Sequence, residues 1–179
     1  MYYPVRQFRH FPRLMNMRID YLANHQRHIQ TLASWFKAEN QDFFARSSLS
    51  DVAREHFESR LNTASLPISF IALVDGEPVG TIALLVESVT THTHLSPWLG
   101  GLHVHPEFRH RGIGMALVAH GLKKALELGM EGVYAGISRA EARYVSEGWR
   151  VEERVMYCGK PLCVMKYDLQ PHGSGAEDK

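Results

Sequence analysis

The stretch RHRGIG, residues 109–114, limits the fold more than any other, because the chain changes from strand spacing to helix spacing across it. WLGGLHVH precedes it and is typical of a strand, whereas apolar residues recur at helical spacing from Gly112 onward. Gly112 and Gly114 lack the Cβ atoms that would keep an oxygen away from the free N–H groups of a helix N-terminus. Side chains that can carry positive charge adjoin these glycines: Arg109, His110 and Arg111. The sequence therefore predicts a strand–turn–helix corner that binds an anionic group.

Two familiar phosphate-binding motifs do not fit this corner. A P-loop has Lys followed by Ser or Thr after its second glycine, where this chain has Met115 and Ala116. A dinucleotide-binding fingerprint has a third glycine where Leu117 stands, and it opens an alternating series of strands and helices. The pattern of this chain instead begins with helices and continues as a meander of strands.

The pattern along the chain predicts one mixed α/β domain. The elements before the corner are a strand, two helices and a strand hairpin: MRIDYL, QRHIQTLASWFKAE, DVAREHFESRL, PISFIALV and PVGTIALLVESV. Those after the helix of the corner are a strand, a short helix and a closing hairpin: GVYAGI, SRAEARYVSEG, WRVEERVMY and LCVMKYDL. Ser50 is the expected N-cap of the second helix, DGE is a hairpin turn signal, and Gly129 ends the helix of the corner.

Length and charge restrict the class of protein. The chain has 179 residues, of which 45% are hydrophobic, so a single domain can build a core large enough to fold unaided. We expect that domain to span 17–169, between a loosely ordered N-terminal arm, 1–16, and a polar tail, 170–179. The net charge of +1 gives no bias toward nucleic acid or an anionic membrane. No apolar run approaches the roughly 20 residues of a membrane span, and no secretory signal is recognisable, so we expect a cytoplasmic protein.

The chain has only two cysteines, Cys158 and Cys163, and they flank GKPL, which is typical of a hairpin turn. A cross-strand disulfide is compatible with this spacing. Two free, half-buried thiols in a reducing compartment are favoured, because disulfides are rare in cytosolic proteins.

The corner and one later segment resemble the motifs of the GNAT superfamily of N-acetyltransferases. The pyrophosphate motif of that family, Gln/Arg-x-x-Gly-x-Gly/Ala between a strand and a helix, is similar to residues 109–114. The lead-in LHVHPEFR is similar to the family's V-x-P-x-x-R approach, and ARYVSEGW, residues 142–149, resembles its helix end ALYEKLGF. The resemblance implies an α/β (α+β) fold with a mixed, mostly antiparallel central sheet flanked by helices, in which strands four and five splay apart.

The resemblance also implies how acetyl-CoA binds as the co-substrate. The cofactor enters between the splayed strands, which here are WLGGLHV and GVYAGI, and Gly100 and Gly101 favour that distortion. The pantetheine arm pairs with the backbone of three residues: Leu102, His103 and Val104. The pyrophosphate lies beside Arg109 and against the backbone N–H groups of the corner: His110, Arg111, Gly112, Ile113, Gly114 and Met115.

Tyr144 stands four residues before Gly148, where many members of this family carry a tyrosine that protonates the departing CoA thiolate. A phenol is a weak acid that can give a proton to a thiolate. Glu147 departs from the apolar residue that the family usually has there, without moving Tyr144 in the alignment. The alternative is a tyrosine that only packs in the core or in an interface at a helix end.

The residues leave the general base open. Members of the family often use a carboxylate on strand four or five, and this chain has none at comparable positions. Glu87, placed late in the third strand, and His92 or His94 in the next loop are available instead. A relay through water is equally compatible with the sequence.

Two other classes of protein compete with the acetyltransferase. His103 and His105 lie two apart in a predicted strand, as do His92 and His94 in a loop, so a His-ligated metal hydrolase is one alternative. Against it, Pro106 ends the strand, and no third ligand stands at a recognisable spacing. The other alternative is a non-enzymatic acyl-CoA-binding regulatory module, which would need no acid at the position of the tyrosine described above.

The resemblance implies transfer of the acetyl group to a primary amine by direct attack, without an acyl-enzyme. Three segments are expected to border the acceptor groove: ENQDFF, THTHLSPW and YCGKPL. They combine aromatic and acidic side chains: Phe43, Phe44, Trp98, Tyr157, Glu39 and Asp42. Carboxylates beside aromatic faces suit a cationic amine, so we expect a small amine or an exposed peptide amine as partner, and neither nucleic acid nor membrane. The alternative is that these residues only pack the rim, and a homodimer stays open.

Overall fold

A computed structural model describes residues 16–39 and 49–169. The expectations for the arm 1–16 before Asn16, for the tail 170–179 and for most of ENQDFF lie outside these residues. The described strands are β1 (Met17–Tyr21), β2 (Ile68–Val74), β3 (Glu77–Leu85), β4 (Trp98–Val104), β5 (Gly132–Ile137), β6 (Arg150–Tyr157) and β7 (Lys160–Asp168). The described α-helices are α1 (Ile29–Glu39), α2 (Leu49–Glu58), α3 (Ile113–Glu127) and α4 (Glu141–Ser146), and 3₁₀ helices cover Leu22–His28 and Pro106–Phe108.

The seven strands form one sheet in the order β1-β2-β3-β4-β5-β7-β6. All neighbours are antiparallel except β4 and β5, which are parallel. Helix α3 packs on one face of the sheet, and α1 and α2 pack on the other. The predicted class, a mixed and mostly antiparallel sheet flanked by helices, is confirmed. None of the described helices combines the length and the apolar composition that crossing a membrane requires.

The apolar run of β2 follows from its place between two layers of helices. Ile68 and Phe70 pack on the side of α3, whereas Ile71 and Leu73 pack on the side of α1 and α2. Successive side chains of a strand point to opposite faces, so a strand that is covered on both sides has to be apolar at every position. The predicted turn between β2 and β3 is confirmed, because Asp75–Gly76 joins the strands with φ of 52° and 88°, as in a type I′ hairpin.

Two predicted boundaries are wrong. Helix α2 begins at Leu49, so Ser50 lies inside its first turn instead of capping it. Strand β3 ends at Leu85, so Glu87 lies beyond the strand and is exposed.

The last hairpin turns earlier than GKPL predicts. The turn is Cys158–Gly159, with φ of 49° and 75°, and Lys160 already pairs with Tyr157 as the first residue of β7. Both thiols are free, as expected. The expectation that both are half-buried is wrong, because Cys158 is exposed in the turn and Cys163 is buried.

Strands β4 and β5 separate soon after they meet, which confirms the predicted splay. Only two residue pairs join them, Trp98 with Tyr134 and Leu99 with Ala135. A bulge then shifts the register of β4 against β3, and Gly101 takes a φ of 63° within it. Because β5 continues beside β7 instead, the two strands leave a cleft between them.

Replacing Gly80 should destabilise the β3–β4 pair. A Cβ at this position would lie 2.8 Å from the backbone oxygen of His103, so alanine there has to push the strands apart. Overpacking of this kind typically costs about 1–3 kcal/mol. Urea denaturation of Gly80→Ala should therefore show a clear loss of stability, whereas Gly114→Ala, whose Cβ would meet nothing closer than 3.7 Å, should be at least as stable as the wild type. Equal stability of the Gly80 variant and the wild type would contradict the crowding.

Candidate active site

The predicted corner is built around two residues in the left-handed region. Gly112 has φ of 83° and caps α3, and His110 has φ of 60°. This conformation is open to glycine and strained for other residues by roughly 1–2 kcal/mol, which explains the glycine at the cap. The N–H groups of the first helical turn have no acceptor within the helix and form the positive end of its dipole. The structure thus places the predicted turn at a helix N-terminus, where free backbone N–H groups are available to an anion.

The side chains of the corner divide into those that hold it and those that surround it. Ile113 is buried in the core below α3, and the Nε atom of Arg109 donates to the Val104 carbonyl oxygen at 2.9 Å. Arg109 therefore ties the corner to the end of β4. Arg111 is exposed and lies over the Phe108 ring, with 5.4 Å between its Cζ atom and the ring centroid.

The end of β4 has one free edge. Its other edge pairs with β3 up to Val104, whereas beyond Leu99 no described strand pairs with it on the side of β5. Leu102 and Val104 face α3, where each approaches Gly114, and His103 faces α1 and stacks on Trp35 at 5.1 Å. The segment predicted to pair with the pantetheine arm is therefore an exposed strand edge at the mouth of the cleft.

A cavity of about 430 Å³ opens where β4 and β5 separate. Its apolar wall comes from α1, α2 and the sheet. Its polar and aromatic-polar side chains, among the described residues, are Trp35, His56, Arg60, Ser69, Thr81, His103, Ser138, Arg139, Tyr144 and Trp149. None of the described lining residues carries a carboxylate. The charge of this wall is therefore positive.

Tyr144 lies in the wall of this cavity and is 8% exposed. Burial raises the pKa of its phenol above the ordinary value, so the hydroxyl keeps its proton at neutral pH. No described residue forms a hydrogen bond with that hydroxyl. Glu147 lies at the surface and pairs with Arg143 at 2.8 Å, so this departure from the family pattern leaves Tyr144 undisturbed.

Trp149 is a feature of the cavity that sequence reasoning missed. The chain turns back after α4 through Gly148, with φ of 98°, and the Trp149 N–H donates to the Tyr144 carbonyl oxygen at 3.1 Å. The indole ring is 3% exposed and meets the Tyr144 ring edge-on at 5.5 Å. Its Nε1 has no acceptor among the described residues, and an unsatisfied buried donor costs about 1–3 kcal/mol. The only signal in the sequence is tryptophan where the family motif has phenylalanine.

The candidate bases Glu87, His92 and His94 do not line this cavity. His92 is instead engaged elsewhere, with its Nε2 3.1 Å from a carboxylate oxygen of Glu153 and its Nδ1 2.9 Å from the hydroxyl of Thr91. The sequence-based choice of these positions therefore does not match the cavity.

Two of the three segments expected to border the acceptor groove also lie away from this cavity. Trp98 is fully buried and donates its Nε1 proton to the Leu95 carbonyl oxygen, and the Tyr157 hydroxyl contacts Thr90. Neither THTHLSPW nor YCGKPL contributes to the cavity wall.

The predicted common face of His103 and His105 is confirmed, since both rings contact Trp35, at 5.1 and 5.3 Å. Neither belongs to a cluster of three or more His, Cys, Asp or Glu side chains anywhere in 16–39 and 49–169.

A histidine and an arginine at the end of α2 form a second unpredicted feature. Nη2 of Arg60 donates to Nδ1 of His56 at 3.3 Å, and the His56 ring stacks on Phe36 with 4.3 Å between centroids. Burial and the charge of Arg60 lower the pKa of His56 to about 4, so this ring is neutral at neutral pH. The signal in the sequence is the spacing of four residues, which places the two side chains next to each other at a helix end.

Comparison with known proteins agrees with this geometry. A model of the acetyltransferase (GNAT) family matches residues 29–144. No curated protein sequence matches the chain significantly.

Several solved structures share the fold. Aminoglycoside 6′-acetyltransferase type Ii superposes with a TM-score of 0.66 at 18% identity, covering 87% of this chain and 99% of that one. yncA from Salmonella typhimurium, solved with acetyl-CoA, has a TM-score of 0.66 at 16% identity, covering 91% of this chain and 99% of its own. Aminoglycoside 6′-N-acetyltransferase from Enterococcus faecium has a TM-score of 0.64 at 17% identity, with 87% and 98% covered. Since the family model spans more than half of the chain, the protein belongs to the GNAT family of acetyltransferases, whose acetyl donor is acetyl-CoA.

Proposed function

We propose that this protein transfers the acetyl group of acetyl-CoA to the primary amine of a small acceptor by direct attack. The observation that carries the proposal is the cleft between β4 and β5, whose cavity has the protonated hydroxyl of Tyr144 in its wall. Family membership supplies the donor. The neighbours named as aminoglycoside acetyltransferases support small amines as acceptors of this fold.

The residues of the corner and of β4 fit acetyl-CoA. The free edge at Leu102, His103 and Val104 offers backbone groups to the amides of the pantetheine arm, as an added strand would. The residues from His110 to Met115 form the turn before α3 and its first residues, and the free N–H groups of a helix N-terminus favour the doubly charged pyrophosphate. A Cβ on Gly114 would lie 3.7 Å from a side-chain atom of Val104 and 3.9 Å from one of Leu102, so the start of α3 lies close to the β4 edge that would bind the pantetheine arm.

Bound acetyl-CoA supplies an activated thioester carbonyl, and the chain supplies orientation and a proton. The acceptor nitrogen bonds to the acetyl carbon while the carbon–sulfur bond breaks, so the amine loses a proton and the thiolate gains one. Tyr144 holds a proton for the sulfur because its phenol is buried and uncharged. Trp149 packs edge-on against the Tyr144 ring and so holds the phenol in its place in the wall.

The enzyme should release CoA when a suitable amine is added. A thiol assay with acetyl-CoA and a panel of amino acids, polyamines, aminoglycosides, short peptides with free N-termini and lysine-rich protein tails tests this. We expect turnover with at least one small amine. Binding of acetyl-CoA without amine-dependent thiol release across the whole panel would instead indicate a non-enzymatic acyl-CoA-binding module.

The role of the corner can be tested by charge at its cap. Gly112→Asp places a carboxylate against the pyrophosphate, and like charges about 4 Å apart repel by about 1–4 kcal/mol between bulk water and a protein surface. Calorimetry should show that acetyl-CoA binds this variant at least about tenfold more weakly than the wild type. Gly112→Asn is the matched control, because asparagine has the same shape without the charge and tolerates the left-handed region. Equal affinity of the two variants would argue against an anion at this point.

Tyr144→Phe tests the acid. The substitution keeps the ring against Trp149 and removes only the hydroxyl. General acid catalysis is worth about 10²–10⁴-fold in rate, so kcat should fall by that order. The Kd of acetyl-CoA, measured by calorimetry, should stay close to that of the wild type. Unchanged turnover with chemistry as the rate-limiting step would remove Tyr144 from the mechanism.

A further inference from the structure

One charged side chain of the cavity wall takes no part in the chemistry described above. Arg60 follows α2 and reaches the cavity at the β4 bulge, where Nη1 lies 3.8 Å from the position that a Cβ on Gly101 would occupy. Its Nη2 donates to His56. Throughout the two described ranges of the chain, no carboxylate forms an ion pair with this guanidinium.

A partly buried cation without a counter-ion is unfavourable. Burial lowers the pKa of the Arg60 guanidinium from its ordinary value, although arginine remains protonated at any physiological pH. Charges inside proteins are normally paired, because the loss of hydration has to be offset by an opposite charge. An anion from a ligand would provide that pairing here.

His56 orients Arg60 without neutralising it. A guanidinium only donates hydrogen bonds, so Nδ1 of His56 accepts and the ring proton resides on Nε2. The ring is neutral at neutral pH, as its lowered pKa requires, and stacking on Phe36 fixes its plane. The arrangement holds the guanidinium in place and leaves its full charge facing the cavity.

The rest of the wall limits the size and polarity of the ligand. The cavity of about 430 Å³ is near the lower end of typical ligand sites, roughly 300–1,000 Å³, and it also has to receive the thioester end of the cofactor. Trp35, Phe36 and Phe57 provide apolar surface beside Arg60, and Arg139 after β5 adds a second positive charge.

We infer that the acceptor is a small molecule of the amino-acid type, a primary amine that also carries a carboxylate or a comparable oxyanion, which Arg60 binds. This inference rests on the proposed acetyl transfer and names the substrate class for the same site. The paired N–H donors of arginine match the two oxygens of a carboxylate. An apolar side chain on the acceptor would lie against Trp35 and Phe36. A polycationic acceptor would be repelled by the positive charge of this wall. This differs from the expectation of the sequence analysis, which favoured a cationic amine.

The wild-type enzyme allows the first test. Thiol release is measured with L-phenylalanine and L-methionine, with their methyl esters, with phenethylamine, and with spermidine and an aminoglycoside. We expect kcat/KM for the free amino acids to exceed that for the esters by about 10- to 100-fold, the range typical of a charged hydrogen bond. The comparison is conservative, because an ester lowers the basicity of the amine and so raises the fraction of it that can attack.

Variants of Arg60 test whether its guanidinium causes the preference for free amino acids over their esters. Arg60→Met keeps the length of the side chain and removes the charge, and Arg60→Lys restores a charge without the paired donors. Arg54→Met is the matched control, since Arg54 lies on α2, the helix that Arg60 follows, pairs with Glu58 at 3.6 Å and is not part of the cavity wall. We expect Arg60→Met to raise KM for the amino acids by about 10- to 100-fold, with the esters and the Kd of acetyl-CoA unaffected. Arg60→Lys should recover part of the loss.

The outcomes separate the inference from the proposed function. Esters, phenethylamine or spermidine used as well as the free amino acids, by an active enzyme, would overturn the inference and leave acetyl transfer standing. A loss of acetyl-CoA affinity in Arg60→Met would also overturn it, because the guanidinium would then belong to the cofactor site. Binding of acetyl-CoA with no turnover of any amine would overturn the proposed function and the inference together.

Discussion

The short parallel contact between β4 and β5 determines where a ligand can enter this molecule. Trp98 and Leu99 hold the two strands together through hydrogen bonds to β5, and the bulge at Gly101 then turns β4 away. If β4 and β5 stayed paired along their full length, there would be no cleft between them, and β4 would offer no free edge to a ligand. Although β4 and β5 are unpaired beyond this contact, antiparallel pairing with β3 keeps β4 in the sheet, and antiparallel pairing with β7 keeps β5 in it.

The corner and the cavity both carry positive charge, but they differ in how strongly water screens it. At the corner, positive character comes from backbone N–H groups and exposed side chains, so water can screen it when no ligand is present. In the cavity, Arg60 is partly withdrawn from water, and among the described side chains its guanidinium hydrogen-bonds only to the neutral His56. A charge in such surroundings interacts more strongly with whatever binds, which makes the cavity the more selective of the two.

The sequence predicts a structural feature well when residues adjacent in the chain determine that feature. The cap at Gly112 and the turn at Asp75–Gly76 follow from residues adjacent in the chain, because a positive φ favours Gly, Asn or Asp wherever it occurs. The predicted position of the last hairpin turn was wrong although its cause is equally local. Pro161 suggests a turn, but it lies near the start of β7, where a strand tolerates proline, and the turn itself is Cys158–Gly159.

The set of residues that lines the cavity could not be predicted from the sequence. Trp35, Arg60 and Trp149 come from three separate segments that meet only when helices pack across the sheet. For the same reason, chemical type alone offered His92 as one candidate base, whereas tertiary packing places its Nε2 beside Glu153 and away from the cavity wall. Motif resemblance carries tertiary information that periodicity lacks, and it selected Tyr144, which lines the cavity. The role of Tyr144 as an acid stays a prediction.

The narrow seam between β4 and β5 also divides the sheet into two parts of different connectivity. Strands β1 to β4 and strands β5 to β7 are each internally joined by antiparallel ladders, but only two residue pairs join β4 to β5. The other links are the crossover helix α3 and side-chain contacts such as those of His92 with Glu153 and of Thr90 with Tyr157. A molecule that occupies the cleft touches both parts and so takes the place of the missing ladder. Ligand binding should then add a further link between the two parts of the sheet, so an occupied cleft should raise the free energy of unfolding of the whole domain.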